Sequence, residues 1–330
     1  CSRMKAIKIQ RYIALLSIVL FVGKIWAWYI THSVTILTDA LESTVNVIAG
    51  LIGLYSIILA SKPRDLNHPY GHGKAQFVSS AIEGALIFIA GLMIVYEAID
   101  QLLEPKPLHQ LDTGIVVVAI TGALNYFAGV YAVKQGKLQK SLIVESAGKH
   151  LKTDAYSTLA IVIGLILLML TGWQWLDSVV ALAFSIVILV TGYKVIRRSM
   201  SGIMDESDVK LLQEVIDLLQ DNRKDDWIDL HNLRVMEQGE RMHIDAHLTL
   251  PWYYQVKDAE VAIHGVEDLI AQHFDNKIEI FIHIDACQPY SCKLCAKQDC
   301  NVRQHPFEGH VDWNKDNVWY DAKHGKEANN

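Results

Sequence analysis

Six stretches of this chain are each long and apolar enough to cross a bilayer, at 12–30, 36–60, 77–102, 114–133, 142–170 and 175–196. A hydrocarbon layer about 30 Å thick takes roughly 20 helical residues to span. Helix is the form that satisfies each such segment's backbone within itself. The fifth stretch carries Lys149, His150, Lys152 and Asp154, so its first half is too polar to pass as a span on hydropathy alone. Beyond Met204 the long apolar runs stop. Half of the 330 residues are hydrophobic (51%) while 20% are charged, and the mean hydropathy is +0.20. That mixture indicates two solvents, one for each half of the chain.

The second half alternates short elements. Residues 209–219 read as an amphipathic helix, 230–237 and 241–250 as strands turned by Gln238 and Gly239, 256–274 as a second helix and 278–284 as a third strand. An α-β-β-α-β order predicts a small α+β sandwich. The expected organisation is a six-helix transmembrane bundle at 1–203, an α+β domain at 204–286 and a Cys/His-rich tail at 287–330.

Lysine and arginine orient the spans, because they accumulate in cytoplasmic loops. They cluster before the first span (Lys5, Lys8, Arg11), between the second and third (Lys62, Arg64, Lys74), after the fourth (Lys134, Lys137, Lys140) and after the sixth (Lys194, Arg197, Arg198), with Lys106 the exception in the alternate loops. Both termini are therefore expected in the cytoplasm. Trp26, Trp28, Tyr29, Trp173 and Trp175 suit the opposite interface. The first apolar run does not end at a small-residue cleavage site, so it reads as a span and not a signal peptide. Cys1 reads as a chain boundary in preference to a lipidated residue. A net charge of -6, with basic residues confined to short clusters, excludes nucleic acid as a partner.

Ionisable groups within spans face a bundle interior or a water path and mark functional positions. The second span offers Asp39, Glu42 and Asn46 on one helix face, and the fifth offers His150 and Asp154 one turn apart. Carboxylate with imidazole suits zinc, iron, manganese, cobalt or nickel, whereas calcium and magnesium prefer oxygen alone. A four-ligand set with one histidine fits tetrahedral zinc. The competing reading has these groups pairing with Lys149, Lys152 or one another at the membrane surface. A second cluster, Asp65, His68 and His72, lies in the loop after span two. The strands carry His231, His243, His247 and His283, with Asp285 close by; residues of even spacing share a face. In the tail, Cys287, Cys292, Cys295 and Cys300 are spaced C-x4-C-x2-C-x4-C, which reads as a soft-metal site, with reversible disulfides or no role as alternatives. No H-E-x-x-H pattern is present in the sequence, and an enzyme is not expected.

These residues together resemble the cation diffusion facilitators, the cation-efflux zinc transporters. The resemblance rests on the run Ser33-Val34-Thr35-Ile36-Leu37-Thr38-Asp39-Ala40, the loop Asn67-His68-Pro69-Tyr70-Gly71-His72-Gly73-Lys74, the His150 and Asp154 pair, and Ile282-His283-Ile284-Asp285. It implies a homodimer in a bacterial inner membrane, with ferredoxin-like cytoplasmic domains, exporting Zn2+ (or Fe2+ or Mn2+) in exchange for protons. It places a transport site on Glu42, Asn46, His150 and Asp154, and a loop site on Asp65, His68 and His72. It also implies a dimer-interface site on His231, His247, Glu260, His283 and Asp285, and a charge interlock between Lys74 and Asp205. Departures from the family pattern are Glu42 and Asn46, where bacterial zinc exporters usually have aspartates, and Glu260, where histidine is frequent. Asn46 removes a formal charge, for which Asp39 is expected to compensate in part. A membrane metal sensor that binds without pumping is the reading from a different class.

Overall fold

The computed structural model describes residues 2–105, 110–138, 142–238, 241–274 and 278–325. Cys1, Lys106, Lys140 and the turn residue Gly239 lie outside them. The chain divides into two units, Cys1–Ile57 with Val78–Ser199 and Ile58–Phe77 with Met200–Asn330.

The first unit is built on six helices: α1 (Ser2–Thr31), α2 (Val34–Ala60), α3 (Ala75–Leu103), α4 (Leu111–Leu138), α5 (Leu142–Thr171) and α6 (Trp175–Ile203). Five of them are long and apolar enough to cross a membrane, and α1 contributes a shorter apolar run, Leu15–Thr31. Their outer faces expose large apolar side chains such as Leu51, Leu54, Phe127 and Val187, as lipid contact requires. The polar start of the fifth stretch does not interrupt its helix.

Lipid gives helices no hydrophobic reason to associate, so close packing has to come from small residues. On α4 and α5 a Cβ at Gly148 would lie 2.6 Å from the Val133 nitrogen and 2.9 Å from the Gly129 oxygen. On α3 and α6 a Cβ at Gly192 would lie 2.8 Å from the Phe88 nitrogen. Only glycine permits these backbones to approach so closely.

The turn into α2 is fixed from far away in sequence. His32 adopts a left-handed φ of 54° between α1 and α2. The free N–H groups that open α2 are then met by Asp177, buried at the start of α6. Val34 N donates to its Oδ2 at 2.7 Å, Thr35 N to Oδ1 at 3.2 Å, and the Ser33 hydroxyl to Oδ1 at 2.6 Å. A carboxylate at a helix N-terminus also suits the helix dipole. Replacing it with alanine strands three donors away from water. Asp177→Ala is expected to cost roughly 2 kcal/mol or more and to lower the thermal midpoint of the detergent-solubilised protein; an unchanged midpoint would contradict the capping role.

The second unit holds α7 (Val209–Asp221), β1 (Asp229–Gln238), β2 (Arg241–Leu250), α8 (Val256–His273) and β3 (Ile278–Ala286). Asp208 caps α7 by accepting from Lys210 N and Leu211 N. The sheet order is β1-β2-β3, with β1 and β2 antiparallel and β3 parallel to β2. Alternation puts Leu230, Ile244, Ala246 and Leu248 in one core with Val215, Ile216, Leu219, Val266 and Ile270 of the helices. The intervening residues of β2 and β3, among them His243, His247, Glu279, His283 and Asp285, therefore lie on the opposite face.

The segment after Asp285 is not a free appendage. Beyond a 3-10 turn at Pro289–Lys293 it has little regular structure, yet Trp313 and Val318 join the same core. Arg223 braces it, with its guanidinium 3.9 Å from the Trp313 ring centroid and donating to Val311 O at 2.8 Å.

Candidate metal centres

Within the first unit, α2 and α5 bring Asn46, His150 and Asp154 together. Asn46 Nδ2 donates to Asp154 Oδ2 at 3.2 Å, and His150 Nε2 lies 3.7 Å from the same oxygen. Glu42 is half-buried one turn before Asn46 on α2. Two carboxylates, an amide and an imidazole are thus the donors available to a cation.

Asp39 does not supply the missing charge. It is buried one turn before Glu42 on α2, where Lys24 of α1 holds Oδ1 at 2.8 Å and the Thr158 hydroxyl of α5 donates to it at 3.0 Å. Lys24 also donates to Ser43 Oγ at 3.0 Å. A carboxylate neutralised by a buried ammonium has little field left for a passing ion. The expectation that Asp39 compensates for Asn46 is corrected accordingly.

The second unit contains two groups of three ligand atoms that close to within 4.8 Å among the described residues. The first is the loop cluster. Asp65 sits at the start of a tight turn, its Oδ1 accepting from Asn67 N and His68 N at 3.0 and 2.7 Å. Those backbone bonds, His68 first, hold its carboxyl below the usual range. His68 Nδ1 lies 3.1 Å from Oδ1 and His72 Nε2 3.4 Å from Oδ2. Gly71, at φ 93°, turns the chain so that the two rings come within 4.3 Å. Lys74 Nζ donates to Asp205 Oδ2 at 2.7 Å, forming the pair that the resemblance implies.

The second group lies on the outer face of the sheet and comprises His231, His247 and Asp285. Cross-strand register places His231 opposite His247 and His247 opposite His283. Asp285 Oδ2 faces His231 Nε2 at 3.2 Å and His247 Nδ1 at 3.3 Å. His283 is exposed beside the group, its ring 4.6 Å from that of His247. Glu260 is exposed on α8 and lies outside it. The four cysteines are free thiols, with Cys295 buried and the others half-buried, and they do not form a group of this closeness.

Asp229 is the residue that ligand spacing alone did not single out. Buried two positions before His231, it places Oδ2 3.3 Å from His231 Nδ1 and accepts from the His324 backbone N–H at 3.0 Å. Burial opposes its charge, but the contacts from His231 and His324 outweigh that and hold the carboxyl far below the usual range. His231 Nδ1 makes no hydrogen bond of full geometry, but a carboxylate on that side of the ring, with Nε2 toward Asp285, is the arrangement that orients metal-binding histidines. The period-two alternation that puts Asp229 on the same face of β1 as His231 is the signal that could have pointed to it.

A β-bulge beside His231 completes the site. One extra residue interrupts pairing between His231 and Arg234, and Asn232 takes a left-handed φ of 50°. Its side-chain nitrogen reaches His247 Nε2 at 3.0 Å. Further along the same face, Arg64 of the loop clasps Glu279 through both guanidinium nitrogens, and Tyr70 meets His243 edge-on with ring centroids 5.7 Å apart.

Against this geometry, residues 11–204 match the family described as the cation efflux transmembrane domain. The chain belongs to the cation diffusion facilitator family. Residues 208–287 of this cation-efflux transporter match the cytoplasmic domain of cation efflux proteins. Its relatives include an uncharacterized transporter, sll1263, of Synechocystis sp., 34% identical over 76% of this chain and 80% of that protein. The manganese efflux system protein MneP of Bacillus subtilis is 26% identical over 84% of this chain and 96% of its own length. A cation-efflux pump FieF of Shewanella oneidensis is 25% identical over 80% and 88%. Family members are transporters and not enzymes, and this chain is a multi-pass membrane protein.

If Asp229 orients His231 as described, Asp229→Asn weakens ion binding at the sheet group 10- to 100-fold. Equilibrium dialysis of the full-length protein with cobalt, compared with His247→Ala, measures it. Equal affinity in Asp229→Asn and the parent chain would remove the orienting role.

Proposed function

We propose that this cation-efflux transporter carries a divalent transition metal, zinc first, out of the cytoplasm in exchange for protons. The observation that carries the proposal is the convergence of Asn46, His150 and Asp154 from two membrane helices, with Glu42 on the same helix as Asn46. Imidazole with carboxylate favours a transition metal over calcium or magnesium. In the cytoplasm-facing state the ion binds deprotonated Glu42 and Asp154 and neutral His150; protons arriving at those groups from the other side weaken its hold and release it. Asn46 offers its carbonyl oxygen but no titratable proton.

On this reading both termini and the α+β domain face the cytoplasm of a bacterial cell across its inner membrane, an orientation that the lysine and arginine clusters support. The functional unit is a homodimer. The loop group and the sheet group, His283 beside it, bind ions on the cytoplasmic side and bias the geometry of the dimer, which requires different affinity in the two states. In proteoliposomes loaded with a metal-sensitive dye, a pH gradient is expected to drive zinc flux. His150→Ala with Asp154→Ala reduces it at least about 100-fold; wild-type flux in that variant would end the site assignment.

A second cargo is favoured by one observation. Asn46 offers a neutral amide oxygen where an aspartate would bring a charge, which leaves the site oxygen-rich as manganese prefers, and one relative is named for manganese efflux. Competition among zinc, iron, manganese, cobalt, nickel and cadmium at fixed pH separates the two. Zinc is expected to inhibit transport of the others at the lowest concentration; manganese doing so would transfer the assignment to that metal.

A further inference from the structure

The sheet group of this transporter is touched by a part of the chain that lies beyond the matched family regions, which end at residue 287. The strap from Val311 to Gly325 is drawn to the domain by Trp313 and Val318 in the core. It then follows the bulge in β1. Asn232 and Leu233, which have no partner on β2 there, donate their backbone N–H groups to Tyr320 O and Val318 O at 2.8 and 2.9 Å. The bulge is thus what gives the strap a seat beside His231.

Two strap residues end on the two carboxylates that flank that histidine. Lys323 Nζ lies 3.1 Å from Asp285 Oδ1 and donates to Ala286 O at 2.9 Å. His324 Nδ1 lies 2.6 Å from Asp229 Oδ1, and its backbone N–H donates to Oδ2 of the same residue. Both side chains are largely buried, 17% and 15% exposed. Asp285 therefore divides its oxygens: Oδ2 faces His231 and His247, while Oδ1 faces an ammonium.

We propose that Lys323 sets the ion affinity of the sheet group and that the strap is a latch which a divalent cation loosens. The inference rests on the reading of His231, His247 and Asp285 as an ion site. One carboxylate carries one negative charge. A dication at Oδ2 and an ammonium at Oδ1 compete for it and repel each other across a few ångströms of half-buried space, where screening is weak. By linkage the effect is reciprocal: an ion that weakens the hold of Lys323 on Asp285 is itself bound less tightly because Lys323 is there. Trp313 and Val318 in the core form the fixed end of the strap, and Lys323 with His324 the end that responds.

A plain structural pin behaves in the opposite way. Removing it would disorder the site and lower ion affinity, whereas removing a competitor raises affinity. The test uses the full-length protein in detergent with zinc as the probe. Zinc binding is measured in the parent chain, Lys323→Met, Lys323→Arg and His247→Ala, and hydrogen exchange is followed in peptides covering residues 317–325. Lys323→Met is expected to bind its sheet-group ion about tenfold more tightly, and Lys323→Arg to stay within about twofold of the parent. Zinc is expected to speed exchange at the end of the strap at least threefold in the parent chain and not in His247→Ala. Unchanged or weaker binding in Lys323→Met, or strap exchange that zinc leaves alone or slows, overturns the latch while leaving the ion site standing. Full ion stoichiometry in His247→Ala overturns the ion site itself. The exchange measurement on the parent chain decides the matter even if a variant fails to fold.

Discussion

A charge placed in hydrocarbon must be paired, and this transporter meets that demand with one buried contact among three helices. Lys24 of α1, Asp39 of α2 and Thr158 of α5 are joined by bonds of 2.8 and 3.0 Å. Removing either charged partner would leave the other uncompensated, at a cost of roughly 3–5 kcal/mol. The knot therefore fixes α2 against α5 one turn from Glu42 and close to where Asn46 meets Asp154. Glycine contacts between α4 and α5 and between α3 and α6 let the remaining backbones close around it. The cap on α2 from Asp177 lies about one turn before Asp39, so the N-terminal part of the same helix is held twice.

The α+β domain achieves an equivalent precision by different means. Its core is an ordinary two-layer arrangement, and its chemistry lies on the face the helices leave uncovered. Pleat geometry lines His243, His247, Glu279, His283 and Asp285 along that face. A single extra residue in β1 then changes its character. The bulge aims Asn232 at His247 and releases two N–H groups to the strap, so that one irregularity supports both ligand orientation and strap attachment. At the far end of the face, Arg64 on Glu279 ties the loop group to the same strands.

Much of this was legible in the sequence because it is periodic or local. The six spans and the α-β-β-α-β order follow from apolar periodicity, and the observed bounds of β2, Arg241–Leu250, coincide with the alternation that predicts them. The pairing of His150 with Asp154 is a single helical turn. Contacts between distant residues were not legible. Nothing in the run around Ser33 announces a cap 144 residues away in Asp177, and nothing near Asp39 announces Lys24 on another helix. The segment after Asp285 lacks periodicity and so reads as a tail, although two apolar side chains and a guanidinium are enough to seat it. Asp229 was hidden for another reason: an aspartate at a strand's first residue looks like a turn residue until its histidine partner is known.

The pairing of Asp39 with Lys24 also fixes an electrical property. With that pair summing to zero, Glu42 and Asp154 are the formal negative charges left at the proposed transport site, and they balance one dication. A loaded site and a site with both carboxylates protonated and His150 neutral are then both uncharged. Moving one elementary charge through a membrane potential is worth roughly 2.3 kcal/mol per 100 mV, and neither form of this carrier would feel that force. When the returning protons sit on the two carboxylates alone, voltage across the membrane does no work on the cycle, and the pH difference and the metal gradient together supply its direction.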